Sequence, residues 1–211
     1  MKLYGFPFSP NTWKVRALAA HIGVPLEFVL VDLAQGQHRA PDYLAMNPTG
    51  RVPVLADGDF NLWESVAIMQ YIASKKPNAL WPDDARTRAD ITRWQSWQIA
   101  HLGKEACEPL LYERLVKKVF NLGPPDAARV AAGTEAFNRE AAMLDAHLAR
   151  QPYLVGSAVT LADFSAAASL VYAKEGEFPM APYANVRAWF DRVMALPAWQ
   201  ETAPPPLSIA A

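Results

Sequence analysis

Two serines, each followed by a helical pattern, are the residues best placed for chemistry in this sequence. Ser9 precedes Pro10, and apolar side chains then recur at helical spacing as far as Ile22. Ser65 begins a second helical pattern, and Glu64 stands directly before it. Free N–H groups and the helix dipole favour negative charge at a helix N-terminus. The two positions therefore predict a pair of anion sites, with Glu64 able to bind an ammonium group.

The same two serines also have a structural interpretation as helix N-caps. Serine is a preferred N-cap, and proline is tolerated at the first helical position because its missing N–H needs no partner there. No Gly-x-Ser-x-Gly pattern surrounds Ser9, which disfavours a serine hydrolase. From these residues alone, both interpretations of Ser9 and Ser65 remain open.

The segment Asn47–Leu55 combines a turn with an unusual start to a strand. Pro48 followed by Gly50 is an ordinary turn signal, but Val52-Pro53 places a proline where a strand begins. About 5–6% of X-Pro bonds in folded proteins are cis. A cis bond here would turn the backbone N–H and C=O of Val52 outward, where they could pair with a peptide-like ligand.

Two further polar motifs have plain structural interpretations. His38-Arg39 follows Gly36 in a polar connection and is typical of a solvated loop. The spacing from Thr160 to Asp163 predicts a capping box, which would stabilise a helix start by about 1 kcal/mol.

Metal and disulfide chemistry have little support in the sequence. The four histidines are scattered, with no HxxxH or HExxH pairing, so no metal site is predicted. Cys107 is the single cysteine, which excludes an internal disulfide and favours a reducing compartment. It lies within a predicted helix, as a small core residue would.

Composition and charge exclude several classes of protein. The 211 residues carry 20 Lys and Arg against 21 Asp and Glu, and 52% are hydrophobic. Surface scaling allows about 70% of the extended chain's surface to be buried, so we expect a folded protein with a real core. The near-neutral charge provides no basic field for nucleic acid. We find no signal peptide at the start and no stretch near the ~20 apolar residues of a membrane span, so we expect a cytoplasmic protein.

The pattern of elements changes character after Pro77. Up to that residue the order is β-α-β, an irregular segment, then β-β-α, with Asp57–Asp59 as a hairpin turn signal. Beyond Asp84 only helical patterns appear, including one long helix towards Phe120. The sequence therefore predicts an α/β domain over residues 1–77 and an all-helical domain over residues 85–211.

Taken together and in this order, these motifs resemble the cytosolic glutathione S-transferase family. The most specific stretches are Asn47–Leu55, Leu62–Ile72 and Thr160–Asp163. The resemblance covers essentially the whole chain and implies a thioredoxin-like N-terminal domain before a helical one. It is nearest to the serine-using phi, theta and zeta classes, and we expect a bacterial member.

The resemblance also implies a role for each matching residue. Ser9 would stabilise the glutathione thiolate as the catalytic residue. The expected glutathione-binding residues are Asn11, His38, Arg39, Arg51, Val52, Pro53, Glu64 and Ser65.

Within that set, each part of the tripeptide has its own partners. Val52-Pro53 would pair with the cysteinyl backbone, and Glu64-Ser65 would hold the γ-glutamyl ammonium and carboxylate. His38-Arg39 would reach the glycyl carboxylate. Arg51 stands where phi enzymes usually have Gln, so its role is less defined.

The resemblance further implies a second substrate and a partner chain. A hydrophobic electrophile would lie near four residues, which are Phe8, Trp97, His101 and Glu105. A homodimer would form through the Ser65 helix and the long helix near Arg86–Trp97. Glutathione is the expected co-substrate, and detoxification is the expected role.

Alternatives within the same scaffold remain. The chain could catalyse another glutathione-dependent reaction, such as isomerisation, dehalogenation, peroxide reduction or ether cleavage, or it could bind ligands without catalysis. Ser9-Pro10-Asn11 lacks the cysteine of the zeta motif, which makes the zeta isomerase less suitable. Tyr4 is out of register with the catalytic tyrosine of other classes, and Asn11 disfavours the cysteine classes.

Overall fold

The computed structural model describes residues 1–206, and the chain divides into two compact units. The first unit consists of Met1–Pro82 together with Leu196–Pro205. The main segment of the second unit is Asp83–Ala195.

The first unit has the βαβ–ββα order that the sequence predicts. Its strands are β1 (Lys2–Gly5), β2 (Glu27–Leu30), β3 (Val54–Asp57) and β4 (Phe60–Trp63). Its first three helices are α1 (Pro10–Ile22), α2 (Pro41–Met46) and α3 (Ser65–Ser74). The strand order is β2-β1-β3-β4, with β1 parallel to β2 and the other pairs antiparallel. The thioredoxin-like prediction for this half is confirmed.

The centre of this sheet is fully buried. Leu3 on β1 is paired with Phe28 on one side and Leu55 on the other, and neither leucine is exposed. Helix α1 packs against α3. A second apolar cluster consists of Val31, Tyr43 and Val54. The sheet therefore supports the two helices whose first residues carry the predicted chemistry.

The segment predicted as irregular, between β2 and β3, contains two short helical elements. Gln37–Arg39 forms a 3₁₀ turn and Pro41–Met46 forms α2. Six residues are too few to show a helical repeat of apolar side chains, so periodicity could not reveal α2. Its start at Pro41 follows the preference of proline for the first helical position.

The second unit is helical, and no strand occurs between residues 83 and 195. Its regular α-helices are α4 (Ala85–Trp97), α5 (Glu108–Leu111), α6 (Lys117–Val119), α7 (Ala127–Leu148), α8 (Leu161–Ala168) and α9 (Ala184–Met194). The predicted all-helical character of this half is confirmed.

The predicted long helix is continuous but not uniform. Between α4 and α5 the chain takes the wider π-helical geometry over Gln98–Cys107, and it does so again over Tyr112–Val116. Pro109 lies in α5, where it supplies no backbone N–H to the helix. A proline inside a helix displaces the regular bonding pattern, and wider turns are one way to accommodate it.

The last helix belongs to the first unit, in contrast to the predicted domain 85–211. Helix α10 (Pro197–Glu201) lies in Leu196–Pro205 and packs against α1. The Trp13 indole N–H donates to the Trp199 carbonyl at 3.2 Å, and the two rings meet edge to face. The helical pattern in the sequence ends before Pro197. The assignment of α10 to the first unit depends instead on a contact between residues that lie 186 positions apart.

Candidate active site

Ser9 forms the N-cap of α1, as its position before Pro10 predicts. Its backbone is extended, and its hydroxyl oxygen accepts a hydrogen bond from the Thr12 N–H at 3.4 Å. Within residues 1–206 no acceptor is recorded for the hydrogen of this half-buried hydroxyl. A hydroxyl can donate and accept at once, so Ser9 can cap the helix and still donate to a ligand.

The beginning of α3 lies directly beside the beginning of α1. The Ser65 hydroxyl donates to the Asn11 side-chain oxygen at 3.2 Å, and Ser65 itself is buried. Glu64, which precedes Ser65, is exposed. The two anion sites predicted separately therefore form one polar surface, with a carboxylate at its edge.

The backbone of Glu64 has an unusual conformation. Its φ is 70°, in a region that residues other than glycine rarely adopt. Such positions cost about 1–3 kcal/mol and concentrate at functional sites. The conformation accompanies the abrupt change from β4 to α3, and it places the Glu64 side chain at the start of the helix.

The turn that carries His38 and Arg39 packs against Gly50. A Cβ atom at Gly50 would lie 3.2 Å from the His38 carbonyl oxygen and 3.4 Å from an Arg39 guanidinium nitrogen. His38 is half-buried, and its Nδ1 has no hydrogen-bond partner within residues 1–206. The structure thus brings the predicted His38-Arg39 pair to the segment that carries Arg51.

We expect Gly50→Ala to destabilise the protein more than Gly58→Ala. Both glycines have positive φ, 61° and 65°, so alanine at either position costs about 1–2 kcal/mol in backbone conformation. At Gly58 nothing lies within 4 Å of the added Cβ, whereas Gly50 is closely packed. Urea unfolding of both variants measures the difference. Equal losses of stability would show that the turn at residues 38–39 adjusts freely.

The chain around Arg51 and Val52 is held by side chains of the preceding residues. The Arg51 carbonyl accepts hydrogen bonds from the Tyr43 hydroxyl at 2.7 Å and from the Asn47 amide at 2.8 Å. Burial raises the pKa of Tyr43 to about 12, which keeps this phenol a donor. Sequence reasoning did not assign these supporting roles to Tyr43 and Asn47.

The side chain of Val52 contributes to the core of the first unit. The Val52 side chain packs against the apolar cluster of Val31, Tyr43 and Val54. The Val52-Pro53 peptide bond is cis, the less frequent of the two isomers considered from the sequence. Arg51, by contrast, has an exposed side chain.

Lys14 is a charged residue near this site that sequence motifs did not reveal. It lies on α1 and is only 1% exposed. Burial lowers the pKa of its ammonium group from 10.5 to about 7, and the negative charge of Glu64 opposes part of that change. The available signal was its helical spacing from the apolar Leu18, four positions later, which places the two side chains on the same face of α1.

The residues predicted near a second substrate occur in both units. In the second unit, the Trp97 indole N–H donates to Glu140 at 2.8 Å. On the π-helical segment, the His101 Nδ1 atom lies 3.8 Å from the Glu105 Oε1 atom, and both residues are exposed. In the first unit, the ring of Phe8 contacts Phe6. The second-substrate pocket itself stays a prediction.

Other sites for chemistry find little support in the described part of the chain. Cys107 is buried, and this burial raises the pKa of its thiol, so it is unsuited to act as a nucleophile. In residues 1–206 no three His, Cys, Asp or Glu side chains are grouped to hold a metal ion. Over the same range, no helix is both long and apolar enough to cross a membrane.

Comparison with family models divides the chain much as its fold does. Residues 1–74 match the model described as the glutathione S-transferase N-terminal domain, and residues 106–197 match the C-terminal domain. The curated relative "Glutathione S-transferase 3" of Zea mays is 39% identical, with 100% of this chain and 99% of the relative covered.

Solved structures with the same fold include other members of this family. Glutathione transferase F7 from Populus trichocarpa superposes with a TM-score of 0.87 at 27% identity, covering 95% of this chain and 96% of that one. A glutathione S-transferase-I bound with lactoylglutathione superposes with a TM-score of 0.85 at 29% identity, covering 96% and 97%. Maize and poplar relatives do not support the expected bacterial origin. Since the two family models together match most of the chain and the maize relative aligns along its full length, the chain belongs to the glutathione S-transferase family.

Proposed function

We propose that this protein transfers the glutathione thiolate to a hydrophobic electrophile, with Ser9 stabilising the thiolate. Family membership supports the reaction class. The observation that carries the assignment of Ser9 is its hydroxyl at the N-terminus of α1, with no acceptor for its hydrogen within residues 1–206. The helix dipole there favours the same anion. Ser9 therefore donates to the sulfur and does not itself attack the substrate.

The required stabilisation is within the range of this arrangement. A thiol with a pKa of ~8.5 is only a few per cent ionised near pH 7, although the thiolate is the nucleophile. Lowering that pKa by ~2 units takes about 2.7 kcal/mol. One hydrogen bond to a charged group contributes about 1.5–3 kcal/mol, and the helix dipole adds to it.

The rest of the tripeptide binds along the surface formed by the starts of α1 and α3 and by the segment Gly50–Pro53. We assign the γ-glutamyl ammonium to Glu64 and its carboxylate to Ser65 at the N-terminus of α3. The contact between Ser65 and Asn11 supports this arrangement, because it holds the γ-glutamyl end close to the Ser9 helix.

The cysteinyl and glycyl parts bind further along the same surface. The cysteinyl backbone pairs with Val52 beside Pro53, since the Val52 side chain is committed to the core. His38 and Arg39 bind the glycyl carboxylate, which the packing of their turn against Gly50 supports. Arg51 adds a positive charge at that end.

The electrophile and the assembly state follow from the family resemblance. We assign Phe8, Trp97, His101 and Glu105 to binding of the electrophile, and the protein to a cytoplasmic homodimer. In this assignment the dimer uses α3 together with Arg86–Trp97.

Calorimetry with glutathione tests the proposal. We expect one tripeptide to bind per chain, and turnover with at least one member of a panel of aryl halides, epoxides, peroxides and maleyl compounds. Sedimentation of the same sample should give twice the 23.3 kDa of one chain. If glutathione binds and is regenerated during turnover instead of consumed, the reaction is of the isomerase type and not conjugation. Binding without any turnover would leave a ligand-binding protein.

A further inference from the structure

Helix α1 carries a positive charge close to the part of the site assigned to the γ-glutamyl group. Lys14 follows Asn11 by three positions, so the two side chains lie on the same face of α1. Asn11 meets Ser65 at the start of α3. Lys14 is therefore placed one turn behind the contact that joins the two helix N-termini.

The burial of Lys14 is unusual and calls for a reason. Lysine is almost never fully buried unless it is paired, yet Lys14 is 1% exposed. Within residues 1–206 no side-chain ion pair within 4.0 Å is recorded for it. A buried cation without a close partner costs stability, so packing alone does not account for a lysine at this position.

Glu64 is the charge that acts on Lys14 from the neighbouring elements. Helix α1 packs against α3 and α10. Apart from Glu64 at its start, the titratable side chain on α3 is Tyr71, whose hydroxyl donates to Asp57. The titratable side chain on α10 is the exposed Glu201. Of these groups only Glu64 has an electrostatic effect on Lys14.

We propose that Lys14 is a positioning residue that makes the γ-glutamyl site complementary to a zwitterion. Glu64 supplies the negative charge for the ligand ammonium, and Lys14 supplies the positive charge, with the N-terminus of α3, for the ligand carboxylate. Glutathione carries two carboxylates and one ammonium, so a charged Lys14 also favours the ligand as a whole. This inference rests on the proposed function.

The sign of the pH dependence follows from that role. The anionic ligand binds better when Lys14 is protonated, so affinity is highest below the pKa of Lys14, about 7, and falls as pH rises through it. His38 lies at the glycyl end of the proposed site and is present in every protein compared. The contribution of His38 is common to the wild type and its Lys14 variants, so affinities are compared between proteins at each pH.

The test uses S-methylglutathione, which has no thiol to titrate, and calorimetry between pH 6 and pH 8.5. We expect the affinity of Lys14→Met to be about tenfold below wild type at pH 6 and similar to it at pH 8.5. Lys14→Arg keeps its charge and should match the wild type at pH 6, then exceed it at pH 8.5. We also expect Lys14→Met to be at least as stable as wild type, because it removes a buried charge.

Two results would overturn the inference in different ways. Equal affinity of wild type and Lys14→Met at pH 6, or the same pH profile for all three proteins, would leave Lys14 without a role in binding. Failure of every protein, wild type included, to bind S-methylglutathione would overturn the proposed function together with this inference.

Discussion

Replacing Ser9 with alanine should reduce the thiolate fraction of bound glutathione at pH 7 by up to about 25-fold. The value follows if the hydroxyl at the start of α1 lowers the thiol pKa by ~2 units from ~8.5. Glutathione should still bind, because the proposed site assigns its carboxylates and ammonium to other residues. Ultraviolet titration of the bound thiol measures the change directly, and the pH at which conjugation appears should rise with it.

Ser9 is also the N-cap of α1, so its two roles must be separated. Alanine at an N-cap costs about 1 kcal/mol of stability, whereas glycine costs only a few tenths. Ser9→Gly should therefore reduce the thiolate fraction of bound glutathione as much as Ser9→Ala does, while the protein remains more stable. Ser9→Thr keeps a hydroxyl and should retain much of the thiolate fraction. A thiol titration unchanged in Ser9→Ala and Ser9→Gly would remove Ser9 from the mechanism.

The largest effect on stability is expected from Asp163→Ala in the second unit. This carboxylate is fully buried and accepts four hydrogen bonds, from the backbone N–H groups of Leu154 and Thr160, the Thr160 hydroxyl and the Trp189 indole. Burial raises the pKa of Asp163, and these hydrogen bonds oppose the rise. Each buried donor left without a partner costs about 1–3 kcal/mol, so we expect a loss of about 4 kcal/mol or more.

Asp145 provides a matched control for burial. It accepts three hydrogen bonds at the start of α9, from the backbone N–H groups of Asn185 and Val186 and from the Asn185 amide, but it is half-buried. Water can replace part of what Asp145→Ala removes, so its loss should be about 1 kcal/mol. Urea unfolding followed by circular dichroism compares the two variants. Similar losses would show that the number of hydrogen bonds, and not burial, decides the cost.

Asp163 also illustrates how far the sequence reaches. The spacing of Thr160 and Asp163 predicts a capping box, and both of its hydrogen bonds are present in the structure. The bonds from Leu154 and Trp189 to the same carboxylate could not be predicted, because Trp189 lies 26 positions away. A motif assigned about 1 kcal/mol from the sequence is therefore part of a buried network that costs much more to disrupt.

Local patterns determined the starts of α1, α3 and α8 and the hairpin between β3 and β4. A helix start depends on a cap and a few following residues, and a two-residue turn depends on glycine, so neighbours in sequence carry this information. The same patterns placed Ser9 and Ser65 at helix N-termini, but only Ser9 is an N-cap, since Ser65 is the first residue of α3 and Glu64 is its N-cap. They also carried the family resemblance, from which the fold of both halves was correctly predicted.

Only the tertiary structure decided which of these positions meet. The contact of Asn11 with Ser65 spans 54 positions, and the packing of Trp199 on Trp13 spans 186. Whether Lys14 is buried depends on the elements packed around α1, and no local pattern states this. The sequence thus determined where each helix begins and which groups it presents. The fold determined how close those groups lie and how much water surrounds them, because proximity and burial arise from contacts between distant parts of the chain.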